Sequence, residues 1–138
     1  MSNDNLSEKV SVNINSSTLS QIDLLVDNGY YSNRSDFINQ SLRAALQQQQ
    51  STLDRIIGQR EENAYKKKEQ WFMGLFGVTA ADAEIMYQNG GGFSITGYGV
   101  LIIDDDIDQE KLFAAVRAIS VRGKVICARS IKDHYGLK

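Results

Sequence analysis

Residues 9–17 read KVSVNINSS. Val10, Val12 and Ile14 are β-branched and apolar, and Lys9, Ser11, Asn13 and Asn15 between them are polar. Such alternation places one set on each face of a strand. The apolar face needs a core, yet the strand has no neighbour nearby. The next strong strand signal, VLIID, begins at Val100. The segments directly after the strand are helical. In 16–29, SSTLSQIDLLVDNG, Asn15 or Ser16 caps a helix, Leu19, Ile22 and Val26 (or Leu25) recur at helical spacing, and Gly29 stops it. In 32–50, SNRSDFINQSLRAALQQQQ, Ser32 is the expected N-cap. Ile38, Leu42, Ala45 and Leu46 form the apolar stripe of this second helix, with Phe37 at its edge.

A strand followed by two helices, with nothing local to pair with, is unstable alone. A second copy repairs it. Two such strands pair antiparallel across a two-fold axis, with four helices beneath. Their apolar faces share one core, and their polar faces point outward on a two-stranded ribbon. That ribbon fits the major groove of B-DNA, where its side chains meet base edges.

The stretch VSVNINSSTLSQIDLLVDNGYYSNRSDFINQSLRAAL (10–46) resembles a ribbon-helix-helix DNA-binding domain of the CopG/Arc/MetJ type. The alternating strand, the GYYSNRSDF start of the second helix and the final Ala-Leu carry the resemblance, which covers about residues 8–48. By position, it implies that Lys9, Ser11 and Asn13 face the groove. Lysine donates to guanine O6 or N7, asparagine pairs with adenine N6 and N7, and serine is permissive. It also implies a DNA phosphate at the N-terminus of the second helix, on Ser32 and Asn33, where free N–H groups and the helix dipole favour an anion. Arg34 beside them reaches the DNA backbone or forms an intradomain salt bridge. The chain departs from the family in two ways. A proline often follows the strand there; here Asn15-Ser16 does, and the chain has no proline. The family also usually carries more basic residues around the fold. Here residues 1–50 hold only Lys9, Arg34 and Arg43 against five carboxylates. The electrostatic share of DNA affinity is then modest, which favours cooperative binding of several dimers.

Beyond this region, Gln47 to Gln70 reads as helix, either continuing the second helix or separate and broken near Ser51 or Gly58. Leu53, Ile56, Ile57 and Tyr65 give it a thin apolar stripe, as in a connector or oligomerisation arm. Lys66–Lys68 are expected to be solvated rather than phosphate-binding. From Trp71 the composition turns apolar and glycine-punctuated (WFMGLFGV), and Thr79 caps a short helix, AADAEIMYQNG. GGGFSITGYGV leads into the strand VLIID. DQEKLFAAVRAIS reads as an amphipathic helix begun by Asp106 or Asp108, with Leu112, Val116 and Ile119 on one face. VRGKVICA is a further strand, and SIKDHYGLK a last helical turn. No internal repeat stands out.

The expected fold class is therefore α+β: a ribbon-helix-helix domain over 1–50, a helical connector over 51–70 and a small α/β domain over 71–138. A module of that size makes a marginal core alone, so the last domain is expected to oligomerise dimers into tetramers or larger assemblies, or to sense something. Several other classes are disfavoured. The net charge is −2 and the pI about 5.3, mildly against nucleic-acid binding. One His and one Cys make no zinc finger. The cluster Asp104, Asp105, Asp106, Asp108 lacks the glycine and distal glutamate of an EF-hand, and helix capping explains it. GGGFSITGYG lacks the GK[ST] of a phosphate-binding loop, and a turn or a tight backbone approach explains it. Cys127 reads as buried and inert in an apolar strand, and His134 as a surface residue. No catalytic constellation stands out, so neither an enzyme nor a cofactor is expected. No apolar run approaches the ~18 residues that span a bilayer, the start MSNDNLSEK lacks a signal-peptide h-region, and a lone cysteine fits a reducing cytoplasm.

The reading is a cytoplasmic, homodimeric regulator of transcription, a repressor or autoregulator, bound to double-stranded DNA. Alternatives are an antitoxin that holds a toxin through its C-terminal region, a plasmid or phage DNA-processing factor, and a module that binds only protein partners.

Overall fold

A computed structural model describes residues 7–138, so Met1 to Leu6, the larger part of the polar start MSNDNLSEK, lie outside the described residues. The chain divides into two compact units, Met1–Arg55 and Ile56–Lys138.

The first unit holds helix α1 (Ser16–Asp27), helix α2 (Arg34–Gln48) and the start of α3 (Gln50–Tyr65). Asn15 caps α1 by accepting the Ser17 N–H at 2.9 Å. Gly29, at φ +83°, ends the helix as expected. Ile22 is buried, and Leu19 and Val26 are half-buried beside it, while Leu25 turns outward at 37% exposure. Tyr31 meets Phe37 edge to face at 4.9 Å, closing the turn between the helices. Residues 7–15, where the alternating strand was expected, form neither helix nor strand in the single chain. The reason is physical: a strand exists by hydrogen bonding to a neighbour, and one copy offers none.

The second unit is a three-stranded parallel sheet, in the order β1 (Glu69–Val78), β2 (Phe93–Ile103), β3 (Val116–Ile126). Helices α4 (Ala80–Gln88) and α5 (Gln109–Ala115) make the crossovers, and α6 (Arg129–Tyr135) follows β3. Parallel strands need such crossovers, and helices covering a sheet face give it a core. Phe72, Val78, Ile95, Leu101, Ile103, Leu112, Val116, Ile119, Val125 and Ile131 fill that core. Thr79 caps α4 in a reciprocal box with Asp82, and Asp108 caps α5 through the Lys111 N–H. Gly136, in the left-handed region at φ +69°, ends α6.

Several expectations need correction. The glycine-rich segment holds both the turn and the tight backbone approach expected of it, but most of it is strand. Only Gly90–Gly92 turn, and β2 already begins at Phe93. The helix expected over DQEKLFAAVRAIS stops at Ala115, and VRAIS opens β3. Leu112, Val116 and Ile119 are all buried, but from two different elements. The helical spacing was fortuitous; pairing with the long β2 draws the β-branched Val116, Ile119 and Val121 into a strand. Cys127 lies just past β3 and is half-buried, and burial raises its thiol pKa. Lys68 is not merely solvated: its ammonium donates to the Asn89 and Gly91 carbonyls and sits 5.2 Å from the centre of the Phe93 ring. His134 is exposed, yet it stacks on Phe113 with centroids 3.7 Å apart.

A repeat also emerges. Gly74, Gly99 and Gly123 are paired in register across the three strands, all at positive φ. A Cβ on Gly99 would lie 2.1 Å from the Gly74 carbonyl oxygen, and one on Gly123 would lie 2.0 Å from that of Gly99. The backbones therefore approach too closely for any side chain.

Candidate nucleic-acid interface

Lys9, Ser11 and Asn13 are exposed on the segment before α1. Val10 and Val12, the alternate positions, are exposed too, at 78% and 71%. Alternation has thus placed two chemically distinct sets of side chains in solvent. The polar set can hydrogen-bond base edges. Nothing among the described residues covers the apolar set.

The start of α2 is built from Tyr31 onward. Its N-cap is Asn33, not Ser32: the Asn33 side chain accepts the Asp36 N–H at 2.8 Å. Asp36 reaches back and accepts the Ser32 N–H at 3.0 Å. Its other carboxylate oxygen accepts from the Gln40 amide at 3.0 Å. The Gln40 and Ser32 hydrogen bonds, with a smaller contribution from the Arg43 charge, hold the Asp36 carboxyl below its ordinary pKa. Of the expected phosphate-binding set, Ser32 and Asn33 therefore already serve the helix. The backbone N–H groups of Arg34 and Ser35, in the first turn, have no acceptor among the described residues. Together with the helix dipole they remain suited to an anion.

Arg34 takes the intradomain option of the two open to it. Its guanidinium grips Asp23 of α1 with two hydrogen bonds, at 2.8 and 2.9 Å. The fork ties α1 to α2 and lowers the Asp23 pKa, mainly through the hydrogen bond. Arg43 makes no ion pair among the described residues. The structure brings Ser32, Asn33 and Arg34 together at one helix end, with Lys9, Ser11 and Asn13 on a separate exposed segment of the same unit. The Asp36 cap was missed as a partner, although an acidic residue three positions after an N-cap is a recognisable signature.

Helix α2 shows the same incomplete burial. Leu42 and Leu46 are each 56% exposed, and Ile38 sits at 36%. Among the described residues of this unit, Ile22 alone of the large apolar side chains is buried.

A sequence profile of the ribbon-helix-helix transcriptional regulator family matches residues 5–132. The chain belongs to the ribbon-helix-helix transcriptional regulator family. The match runs through the C-terminal sheet as well as the region of 8–48 in which the resemblance was seen, so the second unit is part of the family pattern. No curated protein and no solved structure gives a match. Among the described residues, no helix of this ribbon-helix-helix chain is long and apolar enough to cross a membrane.

Proposed function

We propose that the protein is a sequence-specific DNA-binding repressor or autoregulator that acts as a homodimer. Two copies of residues 9–15 form an antiparallel ribbon in the major groove. Lys9, Ser11 and Asn13 read base edges, and the start of α2, with Ser32, Asn33 and Arg34, rests on a phosphate. One observation carries this reading: in a ribbon-helix-helix family member, Val10, Val12, Leu42 and Leu46 stand exposed on one copy. Covering such side chains is worth about 1.5–3 kcal/mol each when burial is complete. A second copy covers them and at the same time supplies the missing strand.

The proposed division is a DNA-binding and dimerisation domain at 1–50, a helical connector at 51–70 and a C-terminal domain at 71–138. The last joins dimers into tetramers or larger assemblies. Met73 and Leu75, exposed on the sheet at 55% and 63%, are suitable contacts for that step. The C-terminal unit has a well-filled core of its own, unlike the disordered charged tail typical of an antitoxin, and this favours the regulator over that alternative.

Fluorescence anisotropy of the full chain on its own promoter region tests the proposal, with an unrelated duplex of equal length as control. Saturable binding that prefers the promoter and weakens with salt supports it, and the salt slope counts phosphate contacts. Equal, weak binding to both duplexes overturns it.

A further inference from the structure

The sheet of the second unit has one face packed on its core and another that carries alternate residues outward. On that second face the register aligns Trp71, Thr96 and Ser120 in one row and Met73, Tyr98 and Arg122 in the next. Of these rows, Trp71, Thr96, Tyr98, Ser120 and Arg122 line a pocket of about 290 Å³, together with Arg60 of α3 and Gly97. Gly97 contributes backbone to this lining; a Cβ there would point to the core face and fall 2.5 Å from the Phe72 ring.

The chemistry of the lining is specific. Arg60 lies 5.8 Å from the centre of the Trp71 ring and pairs with Glu69 at 3.0 Å, which fixes its position. Thr96 also donates to Glu69, so that carboxylate anchors two walls at once. Arg122 has no ion-pair partner among the described residues. The Ser120 hydroxyl makes no hydrogen bond there either. The Trp71 indole N–H is buried and has no acceptor among the described residues. The lining thus offers a planar guanidinium and a hydroxyl with no partners of their own among the described residues, beside the flat surfaces of Trp71 and Tyr98.

We infer that this pocket binds a small organic anion: a carboxylate or phosphate head on a flat, apolar or aromatic body. Arg122 takes the head in a two-pronged grip, with Ser120 as a further donor, and the body lies against Tyr98 and Trp71. The pocket size suits such a molecule, because small-molecule sites are mostly apolar with a few placed polar groups. That such a ligand acts as an effector of DNA binding rests on the function proposed above; the binding itself does not.

Trp71 is the chain's single tryptophan, so its emission reports this pocket alone. The test is a titration of the full chain, without DNA, with benzoate and with phenyl phosphate at constant ionic strength. Benzamide serves as the uncharged control. The expected result is a saturable change in Trp71 emission with benzoate, phenyl phosphate or both, and none with benzamide. The responsive arm tells which head group the pocket takes. Arg122→Gln should weaken the midpoint at least tenfold, and Arg122→Lys, which keeps the charge but loses the fork, should weaken it less. No saturable response to either anion, an equal response to benzamide, or an unchanged midpoint in Arg122→Gln would overturn the inference. Because DNA is absent, a failure here leaves the promoter titration untouched, and a failure there leaves this one readable.

Discussion

Asp23 and Asp36 each do structural work that depends on their charge. Both carboxyl pKa values are lowered in the folded chain, Asp23 by the Arg34 hydrogen bond first and Asp36 by that of Gln40 first. A lowered carboxylate contributes stability that is fully present above its ordinary value of 3.8 and is lost as pH falls through the lower folded value. Both groups are only half-buried, so solvent screens the effect and it is small. Asp23→Asn should therefore lower the melting temperature slightly at neutral pH, and its difference from the wild type should shrink as pH falls below 3.8, as thermal melts carried from pH 7 down into acid would show. At the α4 start, Thr79→Ala breaks the reciprocal cap with Asp82 and should cost about 0.5–2 kcal/mol in denaturant unfolding. Tyr135 makes the opposite kind of contribution. Its hydroxyl donates to the Val116 carbonyl at 2.7 Å, and burial pushes its pKa up to about 12. The phenol thus stays protonated, and remains a donor, through the neutral range.

Among the elements, the glycine row across β1, β2 and β3 makes the sharpest demand on sequence. Gly99→Ala must place a methyl against the Gly74 carbonyl at a φ of +125° that alanine resists. The loss should be about 3 kcal/mol or more, visible as early melting of the sheet by far-UV circular dichroism. This row also marks what could and could not be read from the sequence. Helices α1 and α4 were legible because each combines a capping side chain, apolar positions and a stop within a dozen or so residues, whereas α2 showed a start and a stripe but no stop, and it ends at Gln48, before the breaks expected near Ser51 or Gly58. The boundary of α5 and β3 was not, because Leu112, Val116 and Ile119 satisfy a helical spacing equally well. Only pairing with β2, set by residues far along the chain, decides between the two. The repeat was present but faint, as Gly-Leu-Phe at 74, Gly-Val-Leu at 99 and Gly-Lys-Val at 123. The α2 start was legible in its residue types, while the grip of Arg34 on Asp23, eleven positions away, required the two helices to be packed.

At the scale of the whole molecule, the first unit is half of a structure. The outward Leu42 and Leu46 stripe and the unpaired residues 7–15 both ask for a second copy. Leu42→Ala should then cost about 2–5 kcal/mol of dimer stability, a loss far larger than its exposure on one copy would suggest. Sedimentation across a range of protein concentrations would show the dimer dissociating earlier. An unchanged dimer would place the contact elsewhere. The acidic balance of residues 1–50 limits how much affinity phosphate contacts can supply, which puts more weight on base contacts by the ribbon. The most direct measurement is therefore the ratio of promoter to control affinity, by anisotropy at fixed salt, for the wild type and for Lys9→Ala/Asn13→Ala, with sedimentation confirming that both remain dimers. The account predicts that the double substitution collapses this ratio, each lost base contact costing about 1–3 kcal/mol of discrimination. A dimeric double variant that keeps the wild-type ratio would contradict it.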